Sequence, residues 1–175
     1  METTETLSSA WDQHIASEFA ARNAEQALAT MTAEPYVNQV PLMIGGRGRE
    51  ELHDFYANHF VTQIPPDLEM VAVSRTIGQG QVVDELIARF THTIRMDWLL
   101  PGVAPTGERV ELPFVVIVRF EGDKIAHEHA YWDQASVLVQ VGLISRDVPV
   151  HGGEIAAQLP QPSRPMNELI ATTSS

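Results

Sequence analysis

The hydrophobic period of this chain changes once, and that change limits the fold more than any single motif does. Up to Pro65-Pro66 the apolar residues recur at helical spacing, and from Leu68 onward they alternate with polar ones, as in strands half buried against a core. Helices first and strands afterwards is an α+β order; a parallel sheet would need the two to alternate. The strand runs are residues 68–77, 81–98, 109–120 and a last one from Lys124. They are joined by Gly78-Gln79-Gly80, by the loop LLPGVAPTGE and by Glu121-Gly122-Asp123, and connections this short predict an antiparallel meander.

In the helical half, Ser8 or Ser9 is placed to cap a helix through AWDQHIASEFAARNAEQALATM, with Asn23 as the point where it divides. Trp11, Ile15, Phe19, Ala24, Ala27, Leu28 and Met31 keep near-helical spacing. His14 and Glu18 are four apart and share a face close to that of Trp11 and Ile15. They form either an ion pair at the edge of the core or a site in which His14 points into a cavity roofed by the helix. Pro35 is expected to end the helical region, with residues 36–40 extended, Tyr36 among them. Gly45, Gly46 and Gly48 make a tight loop; GGRG has neither the Lys-Ser/Thr ending nor the spacing of a phosphate-binding loop. A further helix over 49–60 buries Leu52, Phe55, Tyr56 and Phe60, leaving His53 and His59 solvated.

Alternation assigns side chains to faces. In the long strand Val82, Asp84, Leu86, Ala88, Phe90, His92, Ile94, Met96 and Trp98 share one side, read as the inner one. Asp84 and His92 are its ionisable members, and burying either alone costs a few kcal/mol, so each must be paired, wet or functional. Phe90 and Trp98 offer apolar walls for a ligand. A bulge would swap the parity and bring in Glu85 and Asp97. In the next strand Val110, Leu112, Phe114, Val116, Val118 and Phe120 form an apolar face that carries packing.

The last strand-like run, KIAHEHAYWDQASVLVQVG, holds His127, Glu128, His129, Tyr131, Trp132 and Asp133. A strand serving stability alone would be rich in Val and Ile; an imidazole, carboxylates and a phenol together can move protons. Parity sets His127, His129, Tyr131 and Asp133 against Ala126, Glu128, Ala130 and Trp132, and either set can face in. The first choice puts His129 and Asp133 in a cavity. The second packs Ala130 and Trp132 inward with Glu128 at the rim, and turns the histidines to solvent or a partner subunit. His127-x-His129 with Glu128 also offers metal ligands, but without a third ligand at firm spacing no metal or other cofactor is expected.

The net charge of −12, from 23 acidic against 11 basic residues, argues against nucleic acid and anionic membranes as partners. There is no cysteine, which removes disulfides and thiolate chemistry. The opening METTETLSSAWDQH carries acid and no apolar run, and no stretch approaches the ~18 apolar residues of a membrane span, so a cytoplasmic protein is expected.

Helices followed by a curved meander that ends in EHAYWDQASVLVQVGLI resemble the NTF2-like superfamily, and within it the SnoaL-like branch that includes polyketide cyclases. The strand, Asp133 and the Gln140-Val141-Gly142 ending are similar to that branch's close, with Val141 in place of Leu, and WDQH with a later Glu is similar to its first helix. The resemblance spans residues 10–144. It implies a cone in which N-terminal helices pack on a strongly curved antiparallel sheet around an apolar pocket. It also implies an acid/base aspartate at Asp133 and a helper histidine at His92. An Asp-Arg-Asp set like that of limonene epoxide hydrolase would draw on Asp84 or Asp97, Arg95 and Asp133.

The expected protein is one domain over residues 1–148 with a Pro-rich extension over 149–175. Its expected activity is that of an acid/base lyase, isomerase or cyclase acting on a small apolar carbonyl compound without a cofactor. Asp133, His129 and His92 are its candidate catalytic residues, and His14, Tyr36, Asp84, Phe90, Trp98, Tyr131 and Trp132 its pocket residues. A ligand-binding or dimerisation module, or an epoxide or lactone hydrolase, are the alternatives. A homodimer is expected, since open sheets of this shape commonly cover a face.

Overall fold

In a computed structural model, which describes residues 3–171, the chain opens with helix α1, Thr4–Ile15. The cap is Thr3, whose hydroxyl accepts from the Thr6 N–H, so the helix starts before the Ser8 or Ser9 expected. It buries Leu7, Trp11 and His14 along one stripe. A π-helical turn follows over Ala16–Ala20, where the Ala21 N–H bonds to the Ala16 carbonyl five residues back. Asn23 then caps α2, Ala24–Ala29, by accepting from the Gln26 N–H, the division expected at that residue.

Strand β1, Met31–Gln39, begins almost at once, so Pro35 lies inside a strand and does not end the helical region. The ladder between β1 and the last strand of the chain is irregular between Met31 and Tyr36, and a residue without an N–H is tolerated at such a break. After β2, Ile44–Arg47, come α3, Gly48–Asp54, and a second π-helical segment, Phe55–Phe60. The remaining strands are β3, Glu69–Gly78; β4, Gln81–Thr91; β5, Arg109–Glu121; and β6, Lys124–Trp132. Helices α4, Gln134–Gln140, α5, Glu154–Gln158, and α6, Glu168–Ala171, complete the chain.

Among the described residues the strands form one six-stranded sheet in the order β2-β1-β6-β5-β4-β3. The expected meander runs from β3 to β6, and β1 joins it in parallel beside β6. The fold is α+β, as expected: a curved sheet with helices packed across it and an apolar core between.

The long strand ends at Thr91, seven residues short of the expected 98. Asp67 takes the Thr91 N–H and hydroxyl, and the Leu99 and Leu100 N–H groups turn back to the Met96 carbonyl. Met96 and Asp97 are both buried, as side chains of a compact loop can be and strand neighbours on opposite faces seldom are.

Within β4 and β5 the inner face follows alternation, with Val82, Asp84, Ala88 and Phe90 buried, as are Val110, Leu112, Phe114, Val116, Val118 and Phe120; Ile87, on the other face of β4, is buried as well. In β6 the register with β5 shifts between Arg119↔His127 and Phe120↔Ile125, leaving Ala126 as the extra residue. Beyond that bulge Glu128 and Ala130 are buried on the inner side, while His127, His129 and Tyr131 stand on the outer face.

Helix α5 lies against this sheet. The Ser136 hydroxyl donates to the Gly152 carbonyl, and Ala156 of α5, which packs on β5, is fully buried. The serine/threonine end of the chain, 172–175, lies outside the described residues.

Candidate active site

His14, on the last turn of α1, is completely buried, and its hydrogen bonds determine its protonation. The Thr30 hydroxyl donates to the Ala27 carbonyl at 2.7 Å, so its oxygen is left to accept from His14 Nδ1–H at 2.6 Å. Nε2 faces two carboxylate oxygens, Glu18 Oε1 at 3.0 Å and Glu128 Oε2 at 3.3 Å, which accept but cannot donate when ionised. His14 is therefore an imidazolium. Burial by itself would lower its pKa, but the charges of Glu18 and Glu128 and their hydrogen bonds prevail and raise it to about 10.

The Tyr56 hydroxyl completes the group, 3.4 Å from Glu128 Oε2, to which it donates, and 3.4 Å from His14 Nε2. Its pKa is raised well above the ordinary phenol value, first by burial and then by the two carboxylates, so it stays protonated. One imidazolium set against two carboxylates leaves a buried negative charge in excess. Burial raises the Glu18 pKa; His14 opposes that rise and Glu128 reinforces it.

Besides α1, which carries His14, three separate elements deliver this cluster. Glu18 sits in the first π-helical turn and Tyr56 in the second, and such widened turns commonly mark functional sites because they re-aim side chains. Glu128 arrives from the far end of the chain, through the inner face of β6.

Glu18, Tyr56 and Glu128 open onto a cavity of ≈ 60 Å³, whose other walls include Trp11, Phe19, Phe60, Trp98 and Phe114. That is far below the roughly 300 Å³ of a drug-sized pocket, and suits a small molecule or a few waters. His14 stands behind the two carboxylates. Among the described residues, His14, Glu18 and Glu128 are also the groups that would hold a divalent cation, their ligand atoms lying within 4.8 Å of one another. A metal on Nε2 would have to replace the proton there.

The structure does not bring Asp133, His129 and His92 together. Asp133 is exposed and caps α4, accepting from the Ala135 N–H at 2.9 Å and the Ser136 N–H at 3.1 Å. His129 is on the outer face, its ring stacked on that of His127 with centroids 4.6 Å apart. Burial lowers the His127 pKa, and His129 and Arg119 add to the effect. Glu128 points the other way, so alternation separates it from the His127-x-His129 pair as a metal ligand. His92 is buried just beyond the end of β4, away from the cavity; its Nδ1 accepts from the Thr106 N–H, and burial lowers its pKa.

Of the expected pocket residues, Trp98 lines the cavity and His14 lies behind its carboxylates. Asp84 is paired: it accepts from Arg75 Nε at 2.6 Å, Arg75 Nη2 at 2.7 Å and Trp11 Nε1 at 2.8 Å. Arg75 also reaches Ser8 and Asp12, so the network ties α1 to the sheet. Phe90 is core, and Trp132 stacks on Phe114 at 5.2 Å. Tyr36 lies on the outer face against His129, with the Arg47 guanidinium over its ring, and Tyr131 is exposed. Sequence reasoning took Tyr56 for core and Glu128 for rim; the parity that groups Glu128 with Ala130 was the signal for the latter.

The architecture, with an ionisable cluster at a cavity wall, is that of the NTF2-like fold. Residues 12–141 match the SnoaL-like polyketide cyclase family, and the chain belongs to it. No curated protein matches the chain in sequence. Among solved structures it is similar to TsrD from Streptomyces laurentii, with a TM-score of 0.65 and 12% identity over 82% of this chain and 100% of that one. It is similar also to a hypothetical protein with a ketosteroid isomerase-like fold from Catenulispora acidiphila, solved in complex with trimethylamine, with a TM-score of 0.56 and 19% identity over 82% and 96%. SalBIII, an epoxide hydrolase/cyclase-like enzyme of pyran ring formation in salinomycin, gives a TM-score of 0.57 and 15% identity over 77% and 96%. At such identities these likenesses establish the fold. No helix among the described residues is long and apolar enough to cross a membrane.

Proposed function

We propose that this protein is an acid/base enzyme acting on a small, largely apolar carbonyl compound, with the Glu18–Glu128 pair as its proton-handling group. The observation that carries the reading is the meeting of both carboxylates on one imidazole nitrogen, at 3.0 and 3.3 Å, in the wall of an apolar cavity. His14 keeps a carboxylate ionised there and holds both side chains in place; it is a positioning residue, since it does not reach the cavity. Glu128 removes a proton from the carbon next to the carbonyl, and the electron pair moves onto the carbonyl oxygen. Tyr56, which stays protonated, donates a hydrogen bond to that oxygen. Return of the proton to another carbon gives an isomerase, loss of a β-substituent a lyase, and attack of the enolate on a second carbonyl a cyclase.

The family and the cyclase-like relative support this class of chemistry. Hydrogen–deuterium exchange at the α-carbon of cyclohexanone, followed by NMR in heavy water, tests it. Exchange above background with the wild type and its loss in Glu128→Gln are expected; a ketone that binds without exchanging makes the protein a binding module instead. A second copy of the chain is proposed to cover the outer sheet face around Tyr36, His129 and Tyr131, which a sedimentation mass at micromolar concentration decides.

A further inference from the structure

Gln39, the last residue of β1, is only 6% exposed, yet its Oε1 is buried without a hydrogen-bond partner among the described residues. Buried polar groups are nearly always satisfied, and leaving one unmade is costly. The side chain is also in an unusual place for an amide. Gln39 lines the cavity, where its neighbours Val37, Phe114, Val116 and Ala130 are apolar.

The parallel ladder of β1 and β6 pairs Val37 with Glu128 and Gln39 with Ala130. Gln39 therefore stands one inward-facing position along the wall from the Glu128 level, roughly 6–7 Å at the ordinary strand rise. Both residues line the cavity.

We propose that Gln39 is a substrate-positioning residue, whose side-chain amide oxygen accepts a hydrogen from a hydroxyl group of the ligand. The substrate class narrows accordingly to hydroxylated compounds, whose hydroxyl meets Gln39 while Glu128 handles a proton elsewhere on the molecule. That last clause rests on the acid/base reading above; the hydroxyl subsite itself does not.

The test uses phenol and toluene, which differ by O–H against CH₃, and needs no turnover. Wild-type protein is titrated with each by ¹H–¹⁵N NMR, following the Gln39 side-chain amide pair, and Gln39→Met is treated alike. Wild type is expected to bind phenol about tenfold more tightly than toluene, the ordinary worth of one hydrogen bond to a buried acceptor. In Gln39→Met the preference disappears while toluene binds at least as well, and the melting temperature rises because an unsatisfied buried group has gone. A purely structural glutamine would instead lower the melting temperature and leave the preference unchanged. Equal affinities in the wild type, binding of neither probe, or a preference that survives Gln39→Met overturns the proposal. The two readings fail separately: absent ketone exchange with an intact phenol preference removes the enzyme and keeps the subsite, and the converse keeps the enzyme.

Discussion

His14 Nδ1 lies 2.6 Å from Thr30 Oγ1, and this one contact orients the hydrogens of the buried cluster. Because the hydroxyl hydrogen is committed to Ala27, Nδ1 must donate, and Nε2 is left facing Glu18 and Glu128 with a proton of its own. The histidine is charged through its hydrogen-bond geometry, although it is buried among apolar rings.

Stability is therefore expected to fall on the alkaline side. The His14 pKa is raised in the folded state from 6.5 to about 10, so its contribution is fully present below pH 6.5 and is lost as pH rises through about 10. Melting temperatures measured from pH 6 to 10.5 should decline over that window, and the decline should flatten in His14→Gln. A wild-type profile that is level from pH 7 to 10 would contradict the imidazolium.

The two ways of breaking the cluster should differ. Glu128→Gln leaves one imidazolium against one carboxylate, a balanced pair, so the fold should hold while α-proton exchange drops at least ~100-fold. His14→Gln leaves two buried carboxylates with no cation and should cost about 3–5 kcal/mol at neutral pH, read by urea unfolding.

Asp84 makes a similar case at the other side of α1. Its carboxylate is buried and held by Arg75 and Trp11, so Arg75→Met should destabilise the protein by about 2–4 kcal/mol, the lower part of that range reflecting the water that reaches the half-buried guanidinium. Arg75→Lys should recover only part, because an ammonium cannot reproduce the two-nitrogen grip. Denaturant midpoints compare the three.

Asp133 gives a contrast between capping and chemistry. As the cap of α4, Asp133→Ala should cost about 1 kcal/mol and Asp133→Asn almost nothing, since asparagine caps as well. Ketone exchange should survive in the Asn variant. Exchange lost with unchanged melting would instead move the proton-handling group to the end of β6.

What the residues told in advance was local. The switch of period at Leu68, the turns at Gly78–Gly80 and Glu121–Asp123, and the apolar parity of β4 and β5 all depend on neighbours in the chain, so the α+β meander was legible. The π-helical turns that aim Glu18 and Tyr56, and the loop that ends β4 at Thr91, left no periodic trace.

Alternation states which side chains of a strand go together but never which way they point. The residues of β6 alone thus left His129 and Glu128 as equal contenders for the interior. The choice was made by the bulge at Ala126 and by parallel pairing with β1, contacts that close only when the whole sheet forms. Sequence by itself determined the ionisable groups available and the fold that would carry them. Tertiary structure decided that Glu128 should meet His14 from the opposite end of the chain, because the charge of one is stable in that apolar wall only beside the charge of the other.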